Sequence, residues 1–490
     1  MRIAAVIAAG TGLTIAYAPG ATSYNGLNLT PQMGWNTWNA FQCNVNETLL
    51  LNTAKSLVSL GLKELGYDYL ILDDCWSTGR NDSGYLVEDT VKFPNGMKSL
   101  ISQVHSYGLK FGIYSSAGLY TCGRYPGSLG YEQKDADLWA SWGVDYLKYD
   151  NCYNQGQSGT PKLSFDRYNV MSKALNATGR PILYSMCNWG QDNPFDWAYT
   201  IANSYRMSGD IYDSFSRPDP RCPCDEAIGC SFAGYHCSVL KILNMMASIG
   251  QRTQSGSFND MDMLEVGNAG MTDSEYVTHF SMWAFMSSPL LIGTNLLSLS
   301  PGNLAILSNP AVIALNQDPS AGAAVRKWRY PVADTDEYGI GEIALWTRTM
   351  DNGDSVVALV NAGNASRSMN ATAKDLFIDQ GTSGTYTVAA ELSEEFDIYD
   401  LWANRMGEAE AGQILNGTAE VVAMNSTTRY NSTRVSYADG LKANATALFG
   451  KKIGRLSAGG TLTATVDRRS LGLFRLRKVE GNKLRKRDEL

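Results

Sequence analysis

From about residue 34 to residue 300 the sequence alternates short apolar runs with stretches of helical spacing, and this alternation limits the fold more than any other feature. The strand candidates are MGWNTWN (33–39), YDYLILDD (67–74), LKFGIYSS (109–116), VDYLKYDN (144–151), PILYSMCN (181–188) and IANSYRMSGD (201–210). SIGQRTQSGSFND (248–260) and SPLLIGTNL (288–296) follow less clearly. Between them lie segments such as NETLLLNTAKSLVSLGLKEL (46–65), with apolar residues at helical spacing. Repeated strand and helix imply a parallel sheet covered by helices. A count near eight favours a (β/α)8 TIM barrel over an open doubly wound sheet. No G-x-G-x-x-G follows an early strand, so a dinucleotide fold gains no support. After about Pro319 the runs AAVRKWRY, GEIALWTRTM, DSVVALVNAG, LTATVDRRS and GLFRLRKV, separated by Asp-Asn-Gly and Gly-Gly turns, read as a C-terminal antiparallel β-sandwich.

The two ends and the cysteines bear on the compartment. Residues 1–22 carry one early Arg, then no charge, and small residues that offer cleavage sites, so a secretory signal peptide is expected, cut between Ala18 and Ser23. The glycines and proline within it disfavour a spanning anchor, and no later segment reads as transmembrane. Ten N-x-S/T sequons, at Asn28, Asn46, Asn81, Asn176, Asn364, Asn370, Asn416, Asn425, Asn431 and Asn444, suggest N-linked glycans, clustered on the outer domain. The expected divisions are 1–22 as leader, 23–320 as catalytic barrel, 321–479 as β-sandwich and 480–490 as a charged tail. That tail ends Arg487–Leu490, RDEL, which reads equally as an endoplasmic-reticulum retrieval signal or as a coincidence of charge. Nine cysteines leave at least one unpaired within an oxidised chain. The cluster CPCDEAIGCSFAGYHC (222–237) invites a zinc reading with His236, but its first pair is separated only by Pro223, so disulfides are the stronger reading. Three histidines in no cluster give little support to a Ser-His-Asp triad or a histidine-rich metal site. A net charge of -7 argues against a nucleic-acid partner.

The chemistry concentrates where the strand candidates end, which in a parallel barrel is the active-site face. Asp73 and Asp74, Tyr114, Lys148 and Asp150, Cys187 and Asn188, Arg206 and Asp210, and Asp260 and Asp262 all fall there. One such aspartate alone would be a cap or a loop residue. A succession of strands ending this way points to a site. Lys148 and Asp150 are two apart, so on a strand they share a face, and the ammonium is expected to lower the carboxyl pKa and favour a nucleophilic anion. Two carboxylates on separate strands, Asp150 and Asp210, are the minimum set for glycoside hydrolysis.

The motifs TPQMGWNTWNAF (30–41), LDDCW (72–76), GIYSSAG (112–118), LKYDNC (147–152), YSMCNWGQ (184–191), YRMSGDI (205–211) and NDMDML (259–264) resemble glycoside hydrolase family 27, in its fungal and yeast α-galactosidase (melibiase) form. The resemblance covers about Tyr24 to Arg477. It implies a retaining enzyme with Asp150 as nucleophile and Asp210 as acid/base. It further implies that Asp73, Asp74 and Lys148 hold the 4-, 6- and 3-side hydroxyls of galactose, with Arg206 at the 2-hydroxyl side. Trp38 and Tyr114 would line the pocket, Cys187, Asn188 and Trp189 would read the 2-position, and Asp262 and Met263 would form the floor. Animal members carry Glu where this chain has Asn188, which leaves the 2-hydroxyl contact the least defined. The resemblance implies the pairs Cys43–Cys75, Cys122–Cys152, Cys222–Cys237 and Cys224–Cys230, with Cys187 a free thiol at the pocket rim rather than in the core. It implies no metal or organic cofactor.

The expected substrates are galactose-containing oligosaccharides of the melibiose and raffinose type, or galactomannan. An α-N-acetylgalactosaminidase, or a β-L-arabinopyranosidase with a relaxed 6-hydroxyl contact, is the alternative on the same fold. A non-catalytic sugar-binding protein is the alternative of another class, and the two intact aspartates argue against it. Oligomeric state is not legible.

Overall fold

Eight short parallel strands carry the first domain. The computed structural model describes residues 25–232, 234–378, 390–418 and 426–479; the expected leader, Asn425 and the RDEL tail lie outside them. The strands are β1 (Met33–Asn36), β2 (Tyr69–Ile71), β3 (Lys110–Ser116), β4 (Tyr146–Asp150), β5 (Leu183–Cys187), β6 (Ser204–Arg206), β7 (Phe258–Asp260) and β8 (Leu290–Ile292). Their spatial order is β7-β6-β5-β4-β3-β2-β1-β8, every pair parallel. A parallel bridge between Leu264, just past β7, and Ile292 of β8 closes the ring. Inside it Ile71, Tyr146, Leu183, Met263 and Leu291 pack into a plug beneath the active-site face. Such side-chain layers make a barrel interior a core rather than a pore.

The covering helices are α1 (Glu47–Ser59), α2 (Met97–Ser106), α3 (Glu132–Trp142), α4 (Pro161–Ala177), α5 (Val239–Met246) and α6 (Asp273–Phe285). In α1 the Asn46 side chain accepts from the Leu49 amide, and Leu50, Ala54 and Leu57 form one buried stripe. In α6 Thr272 and Glu275 make a reciprocal capping box. None of the described helices is long and apolar enough to cross a membrane.

The structure departs from the sequence expectation in three places. Between β5 and β6 the described chain forms two 3-10 turns, Pro194–Asp196 and Ala198–Thr200, in place of an α-helix. Asp192 and Asn193 there take positive φ (60° and 52°), which a helix does not admit. IANSYRMSGD is not one strand: β6 stops at Arg206, and Asp210–Ile211 pairs instead with Tyr235–Cys237 in a separate parallel ladder. Of SIGQRTQSGSFND only the last three residues are strand, the front forming a 3-10 turn at Gly250–Arg252.

The second domain holds β9 (Val325–Pro331), β10 (Glu342–Thr349), β11 (Ser355–Asn361), β12 (Arg367–Thr372), β13 (Phe396–Asp400), β14 (Lys451–Leu456), β15 (Thr461–Val466) and β16 (Ser470–Lys478). They form an antiparallel sheet β9-β10-β11-β16-β13-β14 and a ladder β12-β15. Leu345, Val357, Leu359, Met369, Leu462 and Leu476 fill the core between them. Arg348 of β10 reaches into the barrel domain, where it donates to Ser287 Oγ (2.9 Å) and the Leu315 carbonyl (3.0 Å). Burial lowers its pKa to about 10, against the pull of Asp318.

In β1, Gly34 lies where a Cβ would stand 2.3 Å from the Tyr69 carbonyl oxygen of β2. Backbone cannot yield there without breaking the β1–β2 ladder. Gly34→Ala is expected to cost about 1–3 kcal/mol of stability. Chemical denaturation measures it, and an unchanged midpoint would show that the barrel relaxes around the methyl group.

Candidate active site

The strand ends converge on a cavity of ≈ 680 Å³ whose wall includes Trp38, Asp73, Tyr114, Lys148, Asp150, Arg206, Asp210, Asp262 and Met263. Asp150 closes β4 and is 6% exposed. Tyr114 Oη donates to its Oδ2 (2.9 Å), and the Asn151 amide donates to its Oδ1 (2.8 Å). Lys148 stands on the same strand, but its ammonium is committed elsewhere: Nζ donates to Asp73 Oδ2 at 2.8 Å. Asn36 Nδ2 donates to that same oxygen (2.9 Å). Burial pushes the Asp150 carboxyl up to about 7; Lys148 pulls it down and Asp210 raises it further. This reverses the net shift expected from the Lys148–Asp150 spacing. The attraction exists, but desolvation outweighs it.

Asp210 lies four residues beyond β6 and differs sharply from Asp150. Its side chain is 48% exposed, and Arg206 Nη2 donates to its Oδ1 at 2.9 Å. The same guanidinium nitrogen pairs with Asp262 Oδ2 at 2.8 Å, and Nη1 lies 3.5 Å from Cys187 Sγ. Asp262 sits at φ 77°, a conformation rare outside glycine, and its Oδ2 also accepts from the Ile211 amide at 2.8 Å. The loop after β7 is thus tied to the residue beside Asp210. Trp283 Nε1 holds the Asp262 carbonyl at 2.8 Å.

The remaining candidates divide. Asp74 follows Asp73 beyond the end of β2, as shared binding of one ligand requires, but its oxygens accept from the amides of Cys75 and Gly123, both at 2.7 Å. Burial raises its pKa, and it is not among the residues that line the cavity. Asn188 and Trp189 are likewise absent from the lining. The chain turns at Trp189 (φ 57°) and Gly190, where a Cβ would meet the Met207 carbonyl oxygen at 2.4 Å, and Asn188 Nδ2 turns back to the Gln191 carbonyl (2.7 Å). Cys187 is free and 1% exposed. It faces a small separate cavity shared with Lys148, Arg206 and Asp262 and is not part of the rim of the large one, because β5 is still strand at that residue. Burial pushes its thiol well above the ordinary value. The four disulfides are Cys43–Cys75, Cys122–Cys152, Cys222–Cys237 and Cys224–Cys230, so the sulfurs that suggested zinc are engaged in bridges. The sulfurs of Cys122 and Cys152 and a carboxylate oxygen of Asp150 lie within 4.8 Å of one another.

Several wall residues carry no sequence signal. Asn39 and Asn268 donate to the two oxygens of Glu265, a buried carboxyl that burial lifts to about 8. The Glu265 amide donates to His279 Nε2 (3.0 Å), and burial lowers that histidine to about 3. Tyr212, Tyr235 and His236 come from the disulfide-bonded loop after β6. The cysteine cluster marks that loop, but only the fold turns it over the cavity.

Residues 30–318 match the family profile described as "Alpha galactosidase A", and residues 340–428 match "Alpha galactosidase C-terminal beta sandwich domain". The chain is 55% identical over 456 residues to an α-galactosidase of Lachancea cidri, covering 93% of this chain and 95% of that one. It is 53% identical over 458 residues to α-galactosidase 1 of Saccharomyces cerevisiae, with the same coverages. The structure of an α-galactosidase from Saccharomyces cerevisiae with raffinose superposes with a TM-score of 0.90 at 52% identity, over 94% of this chain and 100% of that one. The chain belongs to glycoside hydrolase family 27, the family of the α-galactosidases.

Proposed function

We propose that this α-galactosidase removes terminal non-reducing α-D-galactosyl residues by a retaining double displacement, with Asp150 as nucleophile and Asp210 as acid/base. One observation carries the assignment of roles: two carboxylates share one cavity wall in opposite environments. Asp150, buried under Tyr114 and Asn151, has only to meet C1. Asp210, half in solvent, has to reach the leaving group and then a water molecule. In the first step Asp150 acts in its ionised form, against the burial that raises its pKa, and a carboxylate oxygen bonds to C1 while Asp210 gives its proton to the glycosidic oxygen and the C1–O bond breaks. In the second, Asp210 takes a proton from water as the water oxygen displaces Asp150, which frees galactose with its α configuration retained. Asp73, Lys148 and Arg206 present charges suited to the sugar hydroxyls.

The substrates we assign are short oligosaccharides of the melibiose and raffinose type, and galactomannan side chains. Raffinose accompanies the similar Saccharomyces cerevisiae structure, which supports the first class. We also place the chain in the secretory route, on its four disulfides and on sequon asparagines exposed at Asn46, Asn81, Asn176, Asn364, Asn370, Asn416 and Asn444.

Asp150→Asn should lose at least about a thousandfold in kcat while still binding galactose. Retention of a tenth of the rate would remove Asp150 from the nucleophile role. Proton NMR of wild-type turnover should show α-galactose first; β-galactose first would make the enzyme inverting.

Asp210→Ala should lose far more kcat/KM on melibiose than on an activated aryl galactoside, whose leaving group needs no proton. Equal losses on the two would argue for a structural Asp210.

The buried carboxyls also set a pH dependence of stability. Burial raises Asp150 to about 7, Asp260 to about 6 and Glu265 to about 8. Between about pH 4 and those values the folded chain holds protons that the unfolded chain has lost, so stability falls as pH rises. The thermal midpoint should therefore climb by several degrees as pH is lowered from 8 to 5, and Glu265→Gln should flatten the alkaline part. A midpoint that falls over this interval would contradict the assignment.

A further inference from the structure

The segment that carries Asp210 is held from both sides. On the barrel side, Asp262 takes the Ile211 amide and Arg206 takes Asp210 itself. Further along, Tyr276 Oη donates to both oxygens of Asp213 (3.0 and 2.9 Å), and the Gly270 amide donates to one of them. Tyr276 belongs to the first turn of α6. The segment ends at Phe215 and Ser216, and there it meets the other domain.

That meeting runs through Arg469, in the turn between β15 and β16. Its Nη2 donates to Ser216 Oγ (3.0 Å), its Nη1 to Asp336 Oδ2 (3.0 Å) and its Nε to Glu275 Oε1, and its guanidinium lies over the Phe215 ring at 5.0 Å. Ser216 in turn donates to Asp336 Oδ2. One side chain thus grips the far end of the Asp210 segment, the capping glutamate of the helix that bears Tyr276, and its own domain. Arg469 also takes φ 49°, a backbone position that favours glycine, and Gly363 O accepts its amide at 3.1 Å. A strained position occupied by a long side chain with three cross-links is a candidate for a functional role.

We infer that Arg469 is a positioning residue for catalysis, through which the β-sandwich domain fixes the Asp210 segment for proton transfer. The inference rests on the acid/base role proposed for Asp210. Displacing a reacting group by about 1 Å costs about a hundredfold when the step needs its placement, and nothing when it does not. Loss of the Arg469 grip should therefore appear only where the leaving group needs a proton.

The test compares kcat/KM on melibiose and on a nitrophenyl galactoside with an activated leaving group. Arg469→Ala is expected to lower the first about tenfold and the second less than about twofold. Ser216→Ala, which keeps the arginine, should show the same selectivity at smaller size and serves if Arg469→Ala does not fold. Arg469→Lys should recover part of the melibiose rate. Trp402→Phe removes a different contact between the domains, Trp402 Nε1 to Ser281 Oγ at 2.9 Å, and should leave the ratio unchanged. Equal losses on both substrates in Arg469→Ala and Ser216→Ala, or a shifted ratio in Trp402→Phe, would overturn the inference. So would an unchanged ratio in the Arg469 and Ser216 variants while Asp210→Ala shows selective loss, and in that case the acid/base reading itself survives. Equal losses in Asp210→Ala would remove that reading and this inference together.

Discussion

Two cations lie buried at the mouth of the barrel, and each is tolerable only because a carboxylate from another strand end meets it. Lys148 of β4 reaches Asp73 beyond β2, and Arg206 of β6 reaches Asp262 beyond β7. An unpaired ion here would cost several kcal/mol. The pairs therefore demand that four strand ends arrive together, and a register slip of one residue in any of them would strand a charge. The same groups that neutralise one another form the cavity wall. The ion pairs and the cavity wall thus draw on one set of side chains, which is why the pocket is polar just above the apolar plug of the barrel.

The two catalytic candidates show how environment divides identical chemistry. Asp150 gains its place from the end of β4 and from two fixed donors. Asp210 has no such strand beneath it, because β6 ended four residues earlier. It depends on a side-chain bond from Arg206, on the two-residue ladder with Tyr235–Cys237 and on contacts made by its neighbours. A buried group is placed by the sheet; a half-exposed group is placed by loops, and loops need anchoring from outside the barrel.

That distinction also explains what the sequence could reveal. Strands β2 to β5 were legible because runs such as YDYLIL and FGIY are apolar or aromatic at most positions, as strands enclosed by helices have to be. Strand β7 was blurred because the residues ahead of it, QRTQSGS, are polar. Strands β12, β13 and β14 were missed because RSMNAT, FDIYD and KKIGRL mix polar residues into every second place or lie exposed. In the site, Asp150, Lys148, Tyr114 and Arg206 were readable from strand ends. Glu265, His279 and Tyr235 were not, since each reaches the cavity region through tertiary contacts without local signature. The spacing of Lys148 and Asp150 revealed their shared strand. It could not reveal that Asp73 holds the ammonium or that burial would dominate the carboxyl.

The bridge between Cys122 and Cys152 lies against Asp150 and places Gly123, whose amide holds Asp74. It spans thirty residues of chain and stitches the loop after β3 to the loop after β4. The pocket therefore has a history as well as a geometry. A barrel whose strands have paired but whose thiols have not yet been oxidised lacks this tether beside Asp150. The surroundings of Asp150 thus depend on a covalent bond made outside the barrel sheet as well as on strand pairing.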